Sequence, residues 1–264
     1  MASVFVMYLL AAFLTGGAWI AAATLVAERS GSRLGGLIIG FPSTTVVSFV
    51  FIAISQSASV AVNATTIFPI VYGFTALMLA VYYIISYRYG FSSGLILSIC
   101  LWLGLSLATV ASGVDIAEAS VGYLLLFAIS IYLFSLVPGG RAGIRGNGGT
   151  ASAHLVLRAA FSGAMVAVTV LASNVAGPVL GGALAAFPSS FIASLVILNE
   201  MNGPEFARSS AKPMMLSGML TSVAYCFSVR LLYVPFGVVS GTIASFAIAI
   251  AVSVPAYYII RRFG

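Results

Sequence analysis

Residues 17–43 read GAWIAAATLVAERSGSRLGGLIIGFPS, and residues 163–189 read GAMVAVTVLASNVAGPVLGGALAAFPS. At a constant offset of 146, 11 of these 27 positions are identical. The matches include Gly17/Gly163, Gly31/Gly177, Gly35-Gly36/Gly181-Gly182 and Phe41-Pro42-Ser43/Phe187-Pro188-Ser189. Shared apolar composition repeats Ala and Leu by chance, but it does not place Gly and Pro in ungapped register. A self-match at fixed offset is the mark of an internal duplication. Further along, Pro69 pairs with Pro213 after a two-residue gap, and Ser93-Gly94 pairs with Ser240-Gly241.

The duplicated unit is apolar throughout. Of the 264 residues 61% are hydrophobic and 6% charged, whereas a soluble domain carries about 25% charged residues. So few charges cannot solvate a folded surface. The apolar residues fall in blocks of roughly 20, the length that crosses a hydrocarbon core about 30 Å thick. Nine spans are expected, at 4–27, 34–55, 66–87, 91–112, 117–136, 153–174, 179–199, 213–234 and 237–260. Pro69 and Pro213 lie near the starts of spans three and eight, where the first N–H groups lack partners anyway.

Residues 2–27 are read as the first helix of the fold and not as a signal peptide, because no positive segment precedes them and the repeat includes them. The Gly-rich stretch PGGRAGIRGNGGTASA from Pro138 reads as a flexible connector. The expected organisation is a first four-helix repeat over 1–112, a linker transmembrane helix over 113–137, a connector over 138–152 and a second repeat over 153–264. The fold class is an all-α integral membrane protein.

One helix between two four-helix units has a geometric consequence. Four spans return the chain to its starting side and a fifth carries it across, so the second unit enters upside down. The charges agree. Arg29, Arg33, Arg88, Arg141, Arg145, Arg208, Lys212, Arg261 and Arg262 fall on one side, with Arg158 just inside span six. The opposite loops hold only Asp115 and Glu118. By the excess of Lys and Arg in cytoplasmic loops, the N-terminus is expected outside a cell membrane and the C-terminus inside. Scattered arginines in a net charge of +6 lack the clustered patch that nucleic acid requires. The partners expected are therefore the lipid bilayer and a small solute or ion, and oligomeric state is left open.

Inverted repeats put their site near the bilayer midplane, where helices are interrupted. Pro42 and Pro188 each lie about eight residues into a span, about 12 Å deep. A proline there removes a helix hydrogen bond and frees the carbonyl four residues back, here those of Ile38 and Leu184. The hydroxyls of Ser43, Thr44, Thr45, Ser189 and Ser190 stand beside these breaks, and with Pro42 and Pro188 they form the candidate substrate pathway. Close helix packing through small residues such as Gly35, Gly36, Gly181 and Gly182 is the competing reading of the same motif.

Ionisable groups inside a membrane are functional by default, so few candidates exist. Glu28 and Glu200, at cytoplasmic span ends, and Arg230, about 17 residues into span eight, are the possible gate or coupling groups. Each also reads as an interface residue, with Arg230 snorkelling outward. His154 reads as an interface residue. Trp19, Trp102 and the tyrosines read as lipid-facing or belt residues. Cys100 and Cys226 sit in apolar blocks and suggest no disulfide framework. No His/Cys/Asp/Glu cluster has metal spacing and no nucleophile has a base in a motif, so neither cofactor nor enzymatic activity is expected.

At the Gly-Gly-x4-Phe-Pro-Ser stretch the chain resembles the GlpM-like family of small four-helix membrane proteins. That likeness lies in an apolar first helix, a second helix opening Gly-x4-Phe-Pro with a following hydroxyl residue, a polar loop and two more spans. It implies that each repeat corresponds to one such protein and carries a membrane role. The four-one-four plan is also similar to that of fused fluoride channels, but the Phe-Ser-Thr-Phe box and pore asparagine of that family are not found here. Small multidrug antiporters are similar in unit size, yet they use a membrane-embedded glutamate in the first helix, and here none precedes Glu28.

These readings converge on a transporter or facilitator for a small neutral, lipophilic or anionic solute, running between the two repeats. The alternatives are a passive ion channel of the same plan and a non-transport lipid-binding or assembly subunit.

Overall fold

The computed structural model describes residues 2–29, 42–137 and 152–263, with side chains for 4–26, 42–137 and 152–255. Every regular element among these residues is an α-helix: α1 (Ala2–Arg29), α2 (Ser43–Ser55), α3 (Ala58–Ala64), α4 (Phe68–Ser112), α5 (Ile116–Ser135), α6 (Ser152–Ala176), α7 (Pro178–Ala185), α8 (Ser189–Asn202) and α9 (Pro204–Phe263). Six stretches are long and apolar enough to cross a membrane: Val4–Val26, Phe68–Ser112, Ile116–Ser135, Ser152–Ala176, Pro178–Asn202 and Pro204–Pro255. The protein is a helical, membrane-embedded bundle.

Two of these stretches are too long to be single straight helices. The 45 residues of α4 would run about 68 Å at 1.5 Å per residue, twice the hydrocarbon core. Instead α4 breaks at Gly90, whose φ of 82° and ψ of 173° are not helical. Beyond it the chain returns along itself. A Cβ on Gly94 would stand 2.8 Å from the Ser86 Cβ, the Tyr82 and Phe91 rings meet edge to face at 5.9 Å, and the Trp102 indole donates to the Thr75 hydroxyl at 3.0 Å. In a straight helix Thr75 and Trp102 would be about 40 Å apart. The second long helix, α9, breaks in the same way at Gly237, with φ 76° and ψ 168°. There the Tyr233 and Thr242 hydroxyls lie 2.9 Å apart.

Side-by-side packing of α1 and α6 runs antiparallel and depends on absent side chains. Gly163 lies against the Phe13 carbonyl, and a Cβ on Gly17 would stand 3.1 Å from the Ala159 carbonyl oxygen. Small residues at such crossings let backbones approach and gain dispersion contact where lipid removes any hydrophobic drive.

In the bundle centre lies the α7–α8 segment, with 72% of its apolar window buried, while α5 has 17% buried and lies at the periphery. Packing of α5 against α4 brings Gly73 beside Tyr123 and Leu126, and Gly122 beside Ile70. Its start is fixed by a capping box. Asp115 accepts from the N–H groups of Ala117 and Glu118 at 2.8 Å each, and the Glu118 carboxylate accepts from the Asp115 N–H at 3.1 Å. The two loop carboxylates thus close a helix end, each satisfying otherwise orphaned donors.

Three expectations are corrected here. The segment 56–65, expected as the connection between spans two and three, contains α3, started by the Ser57 hydroxyl accepting from the Val60 N–H at 3.2 Å. Pro213 does not sit at a helix start, because α9 begins at Pro204 after Gly203. Trp102 is not lipid-facing: it is 1% exposed, whereas Trp19 is 41% exposed. The expected connector 138–152 lies outside the described residues apart from Ser152.

Candidate functional site

In both Phe-Pro-Ser segments the proline takes the N-cap position of a helix that starts at the serine. Pro42 precedes α2 with φ −74° and ψ 51°, and Pro188 precedes α8 with φ −80° and ψ 45°. Their carbonyls accept the first helical bonds, from Val46 N–H at 2.8 Å and Ile192 N–H at 2.9 Å. Proline has no side-chain acceptor, so neither helix has a side-chain cap at its N-terminus.

The two N-termini meet at one cavity. It is lined by Pro42, Ser43, Thr44 and Thr45 from the first segment, and by Phe187, Pro188, Ser190 and Phe191 from the second, with Tyr72 from α4. Counted as room for the centres of water-sized spheres its volume is about 20 Å³, and one water needs about 10–15 Å³ by that measure. Among the described residues the lining holds hydroxyls, aromatic rings and the positive ends of two helix dipoles, and no ionisable acid or base apart from the Tyr72 phenol.

The carbonyls at the α7–α8 break are taken by side chains of other helices. Thr45 donates to the Ala185 carbonyl at 3.2 Å, and Thr75 donates to the Ala186 carbonyl at 3.3 Å. Thr75 in turn accepts from Trp102. The Leu184 carbonyl, expected to be freed by Pro188, instead accepts from the Phe187 N–H at 3.0 Å in a tightened last turn. Ile38 and Phe41 lie outside the described residues. The Leu184, Ala185 and Ala186 carbonyls at the break thus each have a hydrogen-bond donor.

Of the residues singled out from sequence, Pro42, Ser43, Thr44, Thr45, Pro188 and Ser190 come together around the cavity. Ser189 does not line it. Its side chain is buried behind the helix start, and its hydroxyl has no hydrogen-bond partner among the described residues. Tyr72 and Phe191 were not anticipated. Phe191 could have been found one turn beyond Pro188, but only its shared burial with the motif marks Tyr72.

Neither Glu200 nor Arg230 lines the cavity. The side chain of Glu28 lies outside the described residues. Glu200 is half-exposed and pairs with His154, Nε2 to carboxylate at 2.9 Å, a contact of the kind that contributes little at a surface. Arg230 does not snorkel outward. It donates through one guanidinium nitrogen to the Val62 carbonyl (3.4 Å) and to the Thr65 and Thr66 hydroxyls (3.2 Å each), closing the end of α3. Among the described residues, no three His, Cys, Asp or Glu side chains lie together as metal ligands would, and Cys100 and Cys226 are free.

Residues 9–112 match a protein family described as a protein of unknown function (DUF3147). The match runs from α1 to Ser112, the last residue of α4. No curated protein and no solved structure matches the chain.

Proposed function

We propose that the chain is a multi-pass membrane transport protein, two inverted four-helix repeats joined by α5, that moves a small anionic or neutral solute through the cavity between Pro42–Thr45 and Pro188–Ser190. The observation that carries this reading is the cavity itself, built from matching segments of the two halves at the starts of two short helices. Pro188 lies ten residues beyond Pro178, the first residue of α7, a rise of about 15 Å and thus half the hydrocarbon core. Interrupted helices at that depth are tolerated where they line a cavity or are buried in protein, and their N-termini favour negative charge.

The antiparallel packing of α1 on α6 supports the inversion. At the offset of 146, Phe13 corresponds to Ala159 and Gly17 to Gly163. The two glycine contacts exchange under that correspondence, as a two-fold axis requires. Gly90 and Gly237, with nearly equal dihedral angles, stand at corresponding places, one residue in each Gly-x-x-Ser-Gly stretch. With the legs of α4 and α9 counted separately the six apolar stretches become eight, and a span running through α2 would be the ninth; the family match ends at the expected repeat boundary. The arginine-rich side is cytoplasmic, so the N-terminus is outside. Likeness to the GlpM-like family fits one such unit per half.

Cavity size favours a second reading, a passive channel for a small ion, because room for about one water suits single-file passage. Reconstitution in liposomes separates the two. A carrier shows saturable uptake and counterflow with chloride, nitrate, formate or glycerol as probes, and a channel shows uptake without counterflow. In either case Ser43→Ala with Ser190→Ala is expected to lower flux at least fivefold, and Ser189→Ala to leave it near the parent. Unchanged flux in the double variant, with the fold intact by circular dichroism, returns these hydroxyls to packing.

A further inference from the structure

Three aromatic side chains close the cavity, and they are held differently. Phe187 is wedged edge-on between Trp102, at 5.2 Å, and Phe161, at 6.2 Å. Phe191 lies flush against Gly218, where any side chain would collide with its ring. Neither can move without opening apolar packing. Tyr72, also buried, stacks on Phe68 at 5.1 Å and 14°, and unlike the two phenylalanines it has a polar tip, held among the described residues by one hydrogen bond. The Ser222 hydroxyl in α9 donates to the Tyr72 hydroxyl at 2.7 Å. That bond joins one half of the chain to the other.

The cavity has room for about one water, so any larger solute enters only when a lining side chain moves. On the reading of the cavity as a pathway, we infer that Tyr72 is its gate and that the Tyr72–Ser222 hydrogen bond is the latch that holds the gate shut. The gate belongs to one side. Tyr72 is one turn into α4 from Phe68, next to the α3 end that Arg230 closes and opposite the arginine-rich loops. In the register that pairs Pro69 with Pro213, Tyr72 corresponds to Leu216 and Ser222 to Met78. Both are buried and apolar, so the corresponding pair cannot form this hydrogen bond. Access from the α3 side is therefore governed by breaking a hydrogen bond, and access from the arginine side by other means.

The test is thiol accessibility, which requires no known solute. In a Cys100→Ala, Cys226→Ala background, Thr44→Cys places a reporter in the lining, and a membrane-impermeant thiol reagent is applied to each side of oriented vesicles. Tyr72→Phe and Ser222→Ala are each expected to speed labelling from the α3 side about three- to fivefold, the weight of one net hydrogen bond. The double variant should be no faster than either single one, since both remove the same bond. Labelling from the arginine side should not change. Slower labelling in Tyr72→Phe, additive effects, or no effect of either substitution overturns the latch and leaves the pathway standing. Failure of Thr44→Cys to label from either side in every variant overturns the pathway and the latch together.

Discussion

Gly163 in α6 lies against the backbone carbonyl of Phe13 in α1, at a place where a Cβ cannot be accommodated. Its counterpart Gly17 faces the Ala159 carbonyl with slightly more room, 3.1 Å to an ideal Cβ. Gly163→Ala must therefore push the two helices apart, while Gly17→Ala asks for a shift of a few tenths of an ångström. Overpacking of this kind costs about 1–3 kcal/mol. Thermal unfolding in detergent is expected to rank Gly163→Ala below Gly17→Ala. Gly104→Ala, with nothing within 4 Å of the new methyl, should be at or near the parent. Equal midpoints for Gly163→Ala and Gly104→Ala would contradict the close approach.

The hinge glycines should behave in the opposite sense. At Gly90 and Gly237 nothing lies within 4 Å of a built Cβ, so size is irrelevant, but φ near +80° with ψ near 170° is a region essentially confined to glycine. Gly90→Ala and Gly90→Val are expected to lose similar stability, about 1–3 kcal/mol, because the penalty is conformational. A loss that grows steeply from Ala to Val would point to a steric contact instead.

What could be read from the chain was what the backbone demands. Paired glycines and prolines stand out against an apolar background because each answers to a particular turn or close approach, and so the breaks at Pro42 and Pro188 were visible. At the hinges only Ser93-Gly94 and Ser240-Gly241 were paired from sequence. The structure shows what the Gly90-x3-Gly94 and Gly237-x3-Gly241 spacing does, the first glycine turning the chain and the second letting the returning leg pass close. Side-chain partnership was not legible. In a soluble helix burial shows as a stripe of apolar residues, but here lipid and core accept the same side chains. Tyr72 is 7% exposed and Tyr89 is 68% exposed, and Trp102 at 1% and Trp19 at 41% also differ, with nothing in their neighbours to separate them. The role of Arg230 was missed for a related reason. Its partners are the end of α3, an element hidden in a segment whose Ser, Thr and Asn residues read as loop.

Trp102, Thr75 and the Ala186 carbonyl form a relay of two hydrogen bonds at the α7–α8 break. Thr75→Val keeps the volume but removes both bonds, leaving a buried indole N–H and a buried carbonyl unpaired. Each such loss costs about 1–3 kcal/mol, so Thr75→Val should rank among the most destabilising single-methyl changes, whereas Thr75→Ser keeps the relay and should be mild. Trp102 fluorescence checks the mechanism. In a Trp19→Phe background the emission of Thr75→Val should shift while that of Thr75→Ser stays near the parent. Identical spectra would show that the indole does not depend on Thr75.

Arg230 satisfies three acceptors at the end of α3 from one guanidinium nitrogen. A lysine keeps the charge, but its ammonium ends one bond short of the position that this guanidinium nitrogen reaches. If Arg230 acts by closing α3, Arg230→Lys should lower the unfolding midpoint, by about 1–3 kcal/mol in stability, and leave the ranking of permeant solutes unchanged. A residue that attracts the solute by charge would behave in reverse, with Arg230→Lys nearly silent and Arg230→Gln altering selectivity at little cost in stability. Measuring both variants for melting and for flux decides between an anchor for α3 and a gate, because only the gate makes selectivity follow charge.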